Sequence, residues 1–66
     1  MNIEFRFLQK AIEDKNYVKF FYKSQNIKKV KPLGLIKRGE LYFLHTPKKI
    51  FEFKNITKLQ ILKERF

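Results

Sequence analysis

Lysines fall in two groups through the middle of the chain, Lys28, Lys29 and Lys31, then Lys48 and Lys49. Beside them stand Tyr22, Tyr42 and His45, side chains that join an apolar face to a polar tip. Cations spaced along extended backbone, with rings between them, suit a single-stranded nucleic acid. Ammonium groups meet phosphates and rings lie under bases, each stacked base contributing about 1–3 kcal/mol. Tyr22, Lys28, Lys29, Lys31, Tyr42, His45 and Lys49 are therefore the candidate binding residues. Each also has a plainer use. Tyr42 lies in an apolar run and equally suits a core position with its hydroxyl satisfied. A lone histidine more often packs at a strand end than carries a proton or a ligand. A lysine run on an edge strand discourages pairing with another chain.

Catalytic chemistry has little to work with. The chain has no Cys, a single His and six scattered Asp and Glu residues, which supplies neither an activated nucleophile nor metal-ligand spacing. Gly34 and Gly39 belong to no phosphate-cradling loop. The expectation is a protein that is not an enzyme and uses no metal and no cofactor.

The formal net charge of +10 repels itself in a folded chain and calls for an anionic partner. Nucleic acid is the first candidate, an anionic membrane surface the second and an acidic protein the third; a tolerant surface that accumulates lysine is the plain alternative. Uncharged runs are too short for a membrane span or an export signal. With no Cys to form disulfides, the expected address is cytoplasmic.

These residues need a scaffold, and 66 residues make one domain that buries only about 60% of its unfolded surface. Eight Phe and three Tyr enlarge the small core, since aromatic rings bury the most area per residue. Ile3, Phe7, Leu8, Ala11 and Ile12 recur at helical spacing and predict a helix over residues 3–14, with Asn2 as N-cap, Glu4 in its first turn and a stop near Lys15 and Asn16. Tyr17 to Lys23 alternates as a strand with Val18, Phe20 and Tyr22 on one face. Ser24 to Asn26 supplies a turn.

The next strand begins near Ile27, and Lys29 and Lys31 share a parity with Leu33 and Leu35. One side would be charged at its start and apolar at its end, which calls for a bend or bulge near Pro32 and Gly34. A tight turn at Lys37 to Glu40 follows, with Gly39 taking the permissive backbone angle. Leu41 to His45 is apolar on both faces, as in a central strand covered on both sides. After a turn at Pro47 and Lys48, Phe51 and Phe53 face inward on a further strand. Asn55 to Thr57 turns into a last strand, Lys58 to Lys63, with Leu59 and Ile61 inward. This reads as a mainly β chain: an N-terminal helix, then a five-stranded antiparallel SH3-like or Sm-like barrel spanning about residues 17–64.

The ordered set Ala11-Ile12, Tyr22, Lys28-Lys29-Val30-Lys31-Pro32-Leu33, Gly39-Glu40-Leu41-Tyr42-Phe43-Leu44 and Lys49-Ile50-Phe51 resembles the WYL domain, across almost the whole chain. Tyr42 matches the central residue of the Trp-Tyr-Leu signature, with Leu41 and Phe43 at its flanks. Lys28 or Lys29 stands where the family has Arg in its second strand, and Lys49 where it has the Arg of an Arg-x-Phe segment. Lysine holds a phosphate as a point charge, without the fork and stacking face of arginine. In the closing segment Glu52 and Lys54-Asn55-Ile56 stand where the family has Arg and Asp-Arg-Ile. The resemblance implies an Sm-like barrel that senses single-stranded nucleic acid or nucleotides within bacterial transcription regulators, here as a minimal stand-alone form or one domain of a longer regulator. Two other roles fit the same residues: a protein-interaction or dimerisation module, and an oligomeric Sm-like RNA binder.

Overall fold

The structure, a computed structural model, describes residues 3–66. Helix α1 (Ile3–Asp14) is followed by strands β1 (Asn16–Tyr22), β2 (Gln25–Val30), β3 (Gly34–Arg38), β4 (Leu41–His45), β5 (Ile50–Glu52) and β6 (Ile56–Arg65). They form two antiparallel three-stranded sheets, ordered β2-β1-β6 and β3-β4-β5. The fold is mainly β with one N-terminal helix, as the alternation pattern predicts, but it has six strands and not five. Among the described residues no ladder joins the two sheets, so the barrel is not closed.

The expected long second strand is divided. Residues 31–33 leave the ladder and carry the chain from one sheet to the other. Pro32, which has no N–H to donate, is fully buried at this crossing, and the Leu33 amide donates to the His45 carbonyl (2.8 Å) to start the second sheet. The change of side expected near Pro32 and Gly34 is thus a change of sheet. A bulge occurs earlier: Val18 pairs with Val30 but Phe20 with Ile27, so Lys28 and Lys29 together oppose Lys19. Both stay exposed while Ile27 and Val30 turn inward.

The turn after β1 lies at Lys23 and Ser24, one residue earlier than expected. Both adopt positive φ (49° and 70°), the pair of angles a two-residue hairpin needs to match strand twist. Gly39 takes φ 60° in the β3–β4 turn, as its residue type predicts. Phe53 does not extend β5; it opens a 3-10 turn, Phe53–Asn55, that leads directly into β6.

Leu8 and Ala11 of α1 pack with Val18 and Phe20 of β1, Leu44 of β4, Phe51 of β5 and Ile56 of β6 as one buried core. The helix stops at Asp14 and Lys15 takes φ 58°; the expected N-cap, Asn2, lies outside the described residues. The buried helical face is rotated from the expected stripe. Ile3 (63% exposed) and Phe7 (49%) point to solvent, while Phe5 inserts edge-on against Tyr42 (4.8 Å) and Phe53 (5.4 Å). The Glu4 carboxylate accepts a bond from the Leu59 amide (3.3 Å).

Strand β6 has ten residues against seven in β1 and absorbs the excess in two bulges. Ile56 is buried and Leu59 packs against the core, with bulged Lys58 between them; Ile61, expected inside and paired with Val18, remains 39% exposed.

Leu44→Ala removes a fully buried side chain and is expected to cost about 2–5 kcal/mol in urea unfolding. Ile3→Ala, on the exposed helix side, is expected to change stability by less than about 0.5 kcal/mol.

Candidate nucleic-acid interface

Strand β1 leaves the core on one face and carries Tyr17, Lys19 and Phe21 on the other, since Val18 and Phe20 are buried and the strand alternates. At its start the Phe66 amide donates to the Lys15 carbonyl (2.9 Å), and this bond brings the Phe66 ring edge-on to Tyr17 at 5.4 Å. The neighbouring edge strand β2 and the residue just after it each deliver a cation to this ring pair. Lys29 Nζ lies 4.5 Å from the Tyr17 centroid, and Lys31 Nζ 5.8 Å from that of Phe66. Such contacts at exposed sites contribute about 0.5–1 kcal/mol.

A cleft of about 280 Å³ opens here, with Tyr17, Lys29, Val30 and Lys31 on one side. Thr46, Pro47 and Lys48 of the β4–β5 turn form the other. That turn is held by its own hydrogen bonds. The Thr46 amide and hydroxyl both donate to the Lys49 carbonyl (3.0 and 2.6 Å), and the Lys49 amide donates to Thr46 Oγ1 (3.1 Å). Pro47 and Lys48 are thereby fixed at the tip.

Lys29 also forms an ion pair with Glu64 of β6, Nζ to Oε2 at 2.7 Å, with both side chains largely exposed. The hydrogen bond and charge of Glu64 raise the Lys29 pKa above the ordinary 10.5, partial desolvation opposes this, and Tyr17 adds a small further rise. Asn16 anchors the same end of β6, donating from Nδ2 to the Leu62 carbonyl (3.1 Å).

Of the candidate residues, Lys29 and Lys31 line the cleft; Lys28 stands on the same edge strand and Lys49 on the facing turn. The other three lie apart. Tyr22 works as a brace between the sheets: its hydroxyl accepts the Glu52 amide (3.0 Å) and its ring meets Phe51 at 4.9 Å. Tyr42 shares the inner face of β4 with buried Leu44 and packs on Phe5. His45 pairs with Gly34 and Ile50 on the opposite, outward face of that sheet.

Sequence reasoning missed Tyr17 in the cleft, and Phe66 and Glu64 beside it. Tyr17 carried a usable signal, an aromatic on the charged parity of β1 with Lys19. Phe66 and Glu64 are brought in by the β1–β6 pairing, which no local pattern displays.

Among the described residues no group of three or more His, Cys, Asp or Glu could hold a metal, and no helix is long and apolar enough to cross a membrane. Comparison with models of known protein families, with curated proteins and with solved structures finds no match.

Glu64→Gln is expected to lower the Lys29 pKa toward 10.5, read from the pH titration of the lysine side-chain NMR signals. The sign for stability follows from a folded pKa above the unfolded one: the contribution is present in full below the unfolded value and fades as pH rises through the raised folded value. Wild type and Glu64→Gln should therefore converge in stability in strongly alkaline solution.

Proposed function

We propose that this chain is a non-catalytic binding module for single-stranded nucleic acid or nucleotides, acting in the cytoplasm. The observation that carries the reading is the Tyr17–Phe66 ring pair with Lys29 and Lys31 against it and Lys48 facing it across the cleft. Rings give bases a stacking surface, and the cations neutralise phosphates without requiring a particular sequence. A net charge of +10 supports it further, because anionic polymers are steered to such a surface from a distance. The ordered segments that resemble the WYL domain add the biological setting, a sensing module in bacterial transcription regulation.

A second reading has an observation of its own. The outward face of β3-β4-β5 exposes Ile36 (42%), Leu41 (37%) and Ile50 (58%), and Leu33 (52%) stands beside it. Apolar exposure of this kind favours protein docking or self-association, which would persist at high salt and show as a concentration-dependent mass in sedimentation.

Fluorescence anisotropy of labelled single-stranded DNA and RNA oligonucleotides across a salt series tests the main reading. If roughly four phosphates are neutralised, log K should fall against log salt with a slope near −3. Lys29→Glu with Lys31→Glu should weaken binding and flatten the slope while leaving the fold intact. Unchanged affinity in that double variant would remove the cleft from consideration.

A further inference from the structure

We infer that the whole solvent face of β1 is a track for a single strand of several nucleotides, with a second base-stacking position at Phe21 flanked by Asn26 and Gln60. The inference rests on the reading of the Tyr17 cleft as a nucleic-acid site and extends it along the sheet.

Phe21 lies four residues after Tyr17 on the same face of the central strand, about 13 Å along it. A depression of about 350 Å³ surrounds it, bounded by Lys19, Phe20, Asn26, Lys58 and Gln60. Register explains the grouping. Asn26 is the direct cross-strand partner of Phe21 on β2, and Gln60 that of Lys19 on β6. The bulge in β6 leaves Lys58 with φ 53° and sets its Nζ 5.3 Å from the Phe21 centroid.

No residue around this depression is acidic, so it is complementary to a polyanion. The Asn26 and Gln60 carboxamides make no hydrogen bond within the described protein. Each therefore keeps a donor and an acceptor for the edge of a base, the groups by which unstacked bases are read. An aromatic ring, two free carboxamides and two lysines form a base-and-phosphate position with some capacity to discriminate.

Two ring positions about 13 Å apart decide the ligand class. A mononucleotide can occupy one of them. A strand at the stacked rise of about 3.4 Å per nucleotide needs about four rises, hence roughly five nucleotides, to reach both, and fewer when extended. Lys19, between the two aromatics on β1, falls where the linking phosphates would pass.

Competition against a labelled hexanucleotide tests the track, using thymidine and adenosine oligomers of one, two, four and six residues on DNA and RNA backbones. Affinity should rise steeply up to about five residues, so that the hexamer binds far more tightly than the mononucleotide. Phe21→Ala and Phe21→Leu should each weaken hexamer binding about 5- to 150-fold, as expected for the loss of one stacked base, and Phe21→Tyr should restore it. Phe21→Leu keeps an apolar side chain on the sheet, and its circular dichroism spectrum must match wild type. Asn26→Ala with Gln60→Ala should narrow any preference between adenosine and thymidine hexamers. Mononucleotides binding as tightly as hexamers, or wild-type affinity in Phe21→Leu while Tyr17→Ala fails, would overturn the track and leave the cleft reading standing. No binding of any oligomer by wild type at low salt would overturn both.

Discussion

The edge-on contact of Phe20 with Phe51, 5.2 Å between centroids, joins two sheets that no ladder connects among the described residues. Leu8 and Ala11 of the helix and Leu44 and Ile56 of the flanking strands pack around it. A chain of this length without cysteine has no covalent staple, so apolar contact across the gap must hold the sheets together. Tyr22 repeats the link one pleat further along, adding a hydrogen bond to the Glu52 amide. The tyrosine hydroxyl that looked available for a ligand instead satisfies backbone at a sheet junction, where an unpaired amide is costly.

Because that contact commits one face of β1 to the core, it commits the other to solvent. Val18 and Phe20 point in; Tyr17, Lys19 and Phe21 point out. As the middle strand of its sheet, β1 is bordered by β2 and β6, and bulges in both neighbours set what surrounds its outward aromatics. In β2 the extra residue leaves Lys28 and Lys29 exposed; in β6 it turns Lys58 onto Phe21. Bulges commonly re-aim side chains in this way, and here one in each neighbour delivers a lysine to a ring.

The charge distribution points the same way. Glu64 beside Lys29, Asp14 beside Lys10 and Glu52 beside Lys54 form ion pairs in which every lysine is exposed, and such surface pairs stabilise little. Six acidic residues cannot compensate sixteen basic ones, so most of the positive field stays available to an anion.

Local pattern was enough to specify the helix over residues 3–14, the strand Leu41–His45 and the role of Gly39, because helical spacing, apolar runs and a positive φ are properties of neighbouring residues. It also indicated where the second strand must change sides, since Lys29 and Lys31 cannot be buried with Leu35. Tertiary structure decided how that change is made: a bulge at Lys28 and Lys29, then a crossing at Pro32 into another sheet. It decided too that Phe5, and not Phe7, turns against the sheets, because the space between Tyr42 and Phe53 exists only once they have met. Phe66 reaches Tyr17, and Glu64 reaches Lys29, through the pairing of the last strand with the first. Alternation determines which side of a strand a residue takes. Which strand lies beside it, and in what register, depends on the packing of the whole chain.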